Sequence, residues 1–268
     1  ATGHSINTTR KTLGGFGTYT AALIVAGEPG PGALTETYDG SSWTEVNDLS
    51  TAAPNFGGAC GTTTAGLCIS GDRGGLSVLN EEWNGTSWTE SGDVNAARKE
   101  AGGLGTQTAA IFAGGNAPGA SALSETYDGS TWTEGNNINT ARLYMAAAGT
   151  STAGLLAGGS TTETETETYD GSSWTEVSDL TTGRGELSSS INAPSTFTLV
   201  FGGSPPTTGK TEIWDGSSWT EVADLATARN QAAGAGTAAN ALIVAGNPMP
   251  ILPTEEWNFT STLAAGAW

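Results

Sequence analysis

The chain has 268 residues, 40 of them glycine, and carries 27 acidic against 9 basic side chains, a formal net charge of -18, although only 13% of its residues are charged. So few bases exclude a nucleic-acid binder working through a basic patch, because phosphate contacts need clustered Lys and Arg. One histidine, His4, and two cysteines, Cys60 and Cys68, leave little material for zinc or catalytic-triad chemistry, while 37% hydrophobic residues and nine tryptophans suit a packed core.

Aliphatic runs such as Ala21 to Ala26 are far shorter than the roughly 20 residues of a bilayer-spanning helix. No membrane insertion is expected. The opening residues show no basic stretch followed by an apolar one.

A repeat organises the whole sequence. Glu36-Thr37-Tyr38-Asp39-Gly40-Ser41-Ser42-Trp43-Thr44-Glu45 returns with small changes around the aromatic anchors Trp83, Tyr127, Tyr169, Trp214 and Trp257, spaced 45, 44, 42, 45 and 43 residues apart. A second aromatic follows at Trp43, Trp88, Trp132, Trp174 and Trp219. Before each anchor stand an arginine (Arg10, Arg98, Arg142, Arg184, Arg229, with Pro54 in the second copy), a Gly-Thr pair, and an apolar run ending in a small residue and Gly. The fifth copy departs, with Asn192-Ala193-Pro194 where Gly-Thr would sit. The copies cover about 10–48, 54–93, 98–137, 142–179, 184–224 and 229–268, the last joined by residues 1–5, in a single domain over 1–268.

Each copy predicts four short strands. Small residues such as Ala232 to Thr237 make the first, and an uninterrupted apolar run such as Leu242 to Ala245 makes a second strand that must be covered on both faces. Glu36-Thr37-Tyr38 and Trp43 to Val46 read as the third and fourth, joined by Asp-Gly, a strong tight-turn signal. No stretch has sustained helical periodicity. Four strands in each unit of about 44 residues predict a β-propeller blade.

The pattern of an apolar run, a Gly pair, a Tyr about ten residues on and a Trp beyond it resembles the Kelch repeat. The Gly pairs are intact at Gly114-Gly115, Gly158-Gly159 and Gly202-Gly203 and become Ala26-Gly27, Ser70-Gly71 and Ala245-Gly246 elsewhere, so the second Gly is the strict one. The resemblance implies an all-β, six-bladed propeller of four-stranded blades. The wording at 105–110 and 39–46 also looks like repeats of virion-associated proteins of marine tailed bacteriophages. That second resemblance implies an extracellular or virion-surface setting, with other virion proteins or a host-surface glycan as partners.

The register of the termini predicts closure. Trp268 followed by Ala1-Thr2-Gly3-His4-Ser5 matches the stretch after Trp132, so residues 1–5 would continue the outer strand of the sixth blade. A longer tandem array cut at a repeat boundary is the alternative. The connection from Asn258 to Ala267 is longer than its counterparts and suggests a protrusion.

Loops between strands one and two and between three and four repeat nearly unchanged, whereas those between two and three differ in every copy. Units that keep one structure but diverge on one face point to that face for recognition. On this reading Arg10, Arg98, Arg142, Arg184 and Arg229 could ring the channel mouth and hold an anion, with Arg73, Tyr144 and Lys210 as further ligand contacts. The competing role for the repeated arginines is pairing with the repeat glutamate before the anchor. Phe56, Tyr144 and Phe259 are candidates for stacking. Glu100, Glu186 and Arg73 break the repeat, but spacing alone brings no two acids together, and no calcium loop of Asp-x-Asp-x-Asp form occurs. The expectation is a non-catalytic binding or structural module without cofactor or metal. The alternatives are a sugar-active propeller enzyme with its site at the channel mouth and a purely architectural virion subunit. Cys60 and Cys68 are expected as buried thiols. The repeated acids are expected to form a charge belt around the outside.

Overall fold

The computed structural model describes residues 2–160, 162–251 and 253–259, and none of these is helical. β1 (Thr2–Ser5) precedes a first blade of β2 (Gly14–Thr18), β3 (Ala21–Val25), β4 (Thr35–Tyr38) and β5 (Trp43–Glu45). The second blade has longer strands, β6 (Asn55–Thr62), β7 (Ala65–Asp72), β8 (Leu76–Trp83) and β9 (Trp88–Ser91). The third runs through β10 (Gly102–Thr106), β11 (Ala109–Ala113), β12 (Ser124–Tyr127) and β13 (Trp132–Glu134), and the fourth through β14 (Ala146–Thr150), β15 (Ala153–Ala157), β16 (Thr166–Tyr169) and β17 (Trp174–Val177). β18 (Ser188–Ser189), β19 (Thr198–Phe201), β20 (Thr211–Trp214) and β21 (Trp219–Val222) make the fifth. The sixth holds β22 (Ala233–Gly236), β23 (Asn240–Val244) and β24 (Pro253–Asn258), and its outer strand is β1, which pairs antiparallel with β24.

The ring is closed. First strands lie against one another in the cyclic order β2, β6, β10, β14, β18, β22 and back to β2. The protein is thus a six-bladed β-propeller of four-stranded antiparallel sheets, closed by its N- and C-terminal segments in one blade. Trp268 and the connection 260–267 lie outside the described residues.

Blade shape explains the composition. Wedges converging on an axis bring inner strands too close for side chains: a Cβ on Gly15 would stand 2.8 Å from the Ala233 Cβ, and one on Gly103 2.7 Å from the Ala59 backbone nitrogen. Second strands alternate sides, as the strand period of two requires. Ala22 and Ile24 enter the cluster between blades one and six, while Leu23 and Val25 enter the one between blades one and two. The core is accordingly split into inter-blade clusters. Cys68 falls in the cluster between blades one and two and Cys60 in the one between two and three, both buried and unbonded, with burial pushing their thiols up to about 11 and about 12.

The strict glycine is a matter of φ. The first of the pair adopts φ of 57 to 68°, a left-handed conformation open to Ala26, Ser70 and Ala245, whereas Gly27, Gly71, Gly115, Gly159, Gly203 and Gly246 lie at 98 to 131°. A Cβ at Gly27 would also meet the Lys11 carbonyl at 2.8 Å.

The repeat aromatics join neighbours. The Trp88 indole donates to Thr35 Oγ1 of the preceding blade at 3.0 Å, Trp219 to Thr166 at 2.9 Å, and Trp43 to Thr254 at 3.0 Å across the closure. These tryptophans are 6% exposed, which makes them inter-blade core.

Candidate functional site

The five linker arginines form no ring at the channel mouth. Each is at most 1% exposed and pairs with the glutamate two residues before its own blade's anchor, in the pairs Arg10–Glu36, Arg98–Glu125, Arg142–Glu167, Arg184–Glu212 and Arg229–Glu255, at 2.5 to 3.0 Å. The same carboxylates accept from the incoming linker. Asn95 and Ala96 backbone N–H groups donate to Glu125 at 2.6 and 3.3 Å, so each pair anchors the segment arriving from the previous blade. Burial lowers Arg10, Arg98, Arg142 and Arg229 from the ordinary guanidinium value, and the facing glutamate opposes it. Charges buried this deeply and paired with a glutamate of the same blade lie out of a ligand's reach.

Arg73 is buried as well. It turns back from the loop between β7 and β8 to bind Glu81 at 2.7 Å and so replaces the arginine that Pro54 displaces. Lys210 lies away from the axis and pairs with Glu221 at 2.9 Å. The six repeat glutamates are therefore interior, and the charge belt consists of the turn aspartates and of exposed acids such as Glu45, Glu90 and Glu134. Of the eight residues expected to contact ligand, Tyr144 is the one at the mouth.

The mouth is built from the residue two past each arginine position. Thr12, Phe56, Glu100, Tyr144, Glu186 and Gln231, one from each blade, rim a cavity of about 70 Å³. A chain of backbone bonds binds the rim: Thr12 N–H to Gln231 O at 2.9 Å, Gln231 N–H to Glu186 O at 3.1 Å, Tyr144 N–H to Glu100 O at 2.8 Å and Glu100 N–H to Phe56 O at 3.1 Å. Joining neighbours in this way holds Thr12, Glu100, Tyr144, Glu186 and Gln231 at φ of 52 to 60°. Non-glycine residues there cost on the order of 1–3 kcal/mol each and persist where the surroundings over-determine them.

Rim side chains interlock. The Tyr144 phenol is held well above the ordinary value by burial and by the neighbouring carboxylates of Glu100, Glu186 and Glu28. Asn116 Nδ2 donates to Glu100 Oε2 at 3.2 Å, and Lys99 stands 3.7 Å from Glu100 Oε1. Glu186 accepts from Asn230 Nδ2 at 2.7 Å and Gln231 Nε2 at 2.8 Å. The two acids that spacing left apart thus flank Tyr144 on blades three, four and five.

Below the rim the channel is lined by small residues such as Gly15, Gly103, Ala147 and Gly234. Asn192, from the irregular stretch of blade five, crosses its lower end. Its Oδ1 accepts from Gly17 N–H of blade one at 2.9 Å, its Nδ2 donates to Gly61 O of blade two at 2.9 Å, and its own N–H donates to Gly236 O of blade six at 3.1 Å. Reaching the opposite blade, it bars the channel and leaves a pocket opening at the mouth. Phe259 is 41% exposed and stacks edge-on with Phe197, away from the mouth. Thr12, Gln231 and the barring Asn192 were missed by reading motifs; aligning the copies two residues past each arginine, to give Thr, Phe, Glu, Tyr, Glu and Gln, is the signal that finds the rim.

No protein-family model matches the chain, and no curated protein matches it. Among solved structures it is similar to that of YjhT, with a TM-score of 0.72 at 11% identity, covering 94% of this chain and 95% of that one. At that identity the likeness shows the fold.

Proposed function

We propose that the protein is a non-catalytic binding module of Kelch type that uses its mouth face to recognise a host-surface glycan or protein on behalf of a phage tail or virion surface. One observation carries the reading. At a repeat position whose left-handed backbone recurs in five of the six blades, side chains of five kinds converge on a pocket barred at its other end by Asn192. Repetition elsewhere serves the blade, and difference at the axis serves a ligand. Phe56 and Tyr144 supply aromatic faces there, and the diverging loops surround the rim.

A sugar-active enzyme is the second reading, favoured by Glu100 and Glu186 on either side of Tyr144. Binding is preferred because the Tyr144 phenol is kept neutral beside the rim carboxylates and Glu186 is held by two amides, an arrangement that fixes geometry without freeing a nucleophile.

A glycan array probed with the wild type and with Phe56→Ala tests the reading. The expected result is retention of defined glycans by the wild type, loss with the variant, and no turnover. Product formation abolished by Glu186→Gln would replace it with the enzyme, and a mouth face covered by neighbours in the assembled particle would replace it with an architectural role.

A further inference from the structure

We infer that the mouth takes a sugar bearing a free primary ammonium group, with the ammonium entering the pocket and the ring held at the rim between Phe56 and Tyr144. The inference rests on the binding reading above and specifies its ligand.

Rim hydrogen bonding is lopsided. The side-chain amides of Asn116, Asn230 and Gln231 are all turned onto Glu100 or Glu186. Acceptors are left over. Because the Gln231 nitrogen faces Glu186, its oxygen is the free atom, and this Oε1 is buried without a partner. Thr12, 6% exposed and lining the pocket, likewise has an unpartnered, buried Oγ1. A buried polar atom without a partner costs about 1–3 kcal/mol, which a ligand bringing donors recovers. An ammonium brings three donors and no acceptor, whereas a sugar hydroxyl brings one donor.

Charge agrees with the donor count. Glu100, Glu186 and nearby Glu28 face Tyr144, and Lys99 is shared between Glu100 and Asp72 at 3.7 and 3.4 Å while Lys11 pairs with Glu28 at 3.5 Å. Among the described residues no cation stands at salt-bridge distance from Glu186, whose bonds go to the amides of Asn230 and Gln231. A cation beside two carboxylates and two aromatic faces gains both Coulomb and cation–π energy. A pocket of about 70 Å³ holds an ammonium and its neighbouring atoms and leaves a pyranose ring outside, against the aromatic side chains.

Calorimetric titration of the full chain with glucosamine, N-acetylglucosamine, glucose and n-butylammonium decides the matter. Glucosamine is expected to bind at least about tenfold more tightly than glucose and N-acetylglucosamine, the difference one charge-assisted hydrogen bond makes, and more tightly than n-butylammonium, which keeps the ammonium but lacks the ring that meets Phe56 and Tyr144. Glu186→Gln should weaken glucosamine about tenfold. Thr12→Val should weaken it too while leaving the melting temperature unchanged or higher, since the hydroxyl it removes has no partner in the free protein. Lys210→Met, away from the axis, should change nothing. Equal affinity for glucose or N-acetylglucosamine, lost with Phe56→Ala, would overturn the ammonium and leave the glycan-binding reading standing. Butylammonium binding as well as glucosamine would overturn the sugar in favour of a lysine side chain. No binding by glucosamine, or binding indifferent to Thr12→Val and Glu186→Gln, would overturn the inference outright.

Discussion

Arg73 Nη1 stands 2.7 Å from Glu81 Oε1, filling from a loop in blade two the place that a linker arginine fills in the other five blades. The interaction has been kept although its donor changed position in the sequence, which marks the buried pair as a requirement of the blade. Removing one partner of such a pair strands the other charge in the interior. Arg73→Ala is therefore expected to destabilise the protein by about 3–5 kcal/mol, as Arg98→Ala should in blade three. Adding Pro54→Arg to Arg73→Ala should recover part of the loss in urea denaturation; no recovery would mean that the two positions are not equivalent.

Closure gives a second prediction. β1 covers the edge of β24, and the Trp43 indole reaches Thr254 across the seam. Deleting residues 1–5 bares that edge and should lower the melting temperature by roughly 5 °C. Trp43→Phe, which leaves the Thr254 hydroxyl without its donor, should cost about 1 kcal/mol for the hydrogen bond besides the loss in packing. An unchanged melting curve for the deletion would mean that β1 contributes nothing to the seam.

Asn192 should matter through its side chain. Asn192→Ala removes the acceptor of Gly17 N–H and the donor to Gly61 O, two hydrogen bonds worth about 1 kcal/mol each. Hydrogen exchange is expected to quicken at the Gly17 amide and to stay unchanged at Gly149, the equivalent residue of blade four. Equal exchange at Gly17 in both proteins would show that the bar contributes no protection.

The turn aspartates set an acid limit. Asp39, Asp128, Asp170 and Asp215 accept from the backbone N–H and hydroxyl groups of the next residues, which holds their carboxyls down to about 2. The unfolded value is about 3.9, so the stabilisation is complete above that pH and is lost as pH falls through about 4 towards 2. Blade two uses Asn84, whose Oδ1 accepts from Thr86 and Ser87 N–H at 2.9 Å with no titrating group. Carboxyl carbon shifts followed by NMR should show four aspartates titrating near 2, while the amides of Thr86 and Ser87 stay unmoved; titration near 4 would mean that the turns are not hydrogen-bonded in solution.

The repeat made the fold legible. Gly-rich first strands, apolar second strands, the Asp-Gly turn and the Tyr/Trp anchors all report on contacts inside one blade or between neighbours, so six copies repeat the same local message. Even closure could be read, because Thr2 to Ser5 continue the register of the other outer strands. The role of the linker arginines was half visible: their pairing with Glu36 and its counterparts could be named as one of two options, but burial decided it, since strand spacing does not say how deep a side chain lies.

What the sequence by itself determined is the blade, its glycines and its aromatic anchors, since these answer to φ, strand period and packing within some 45 residues. Only the tertiary structure decided where difference gathers. Thr12, Glu100, Tyr144, Glu186 and Gln231 are scattered through the chain, and Asn192 lies 175 residues from Gly17. They meet because a closed ring of six blades brings one position from each blade to a common axis.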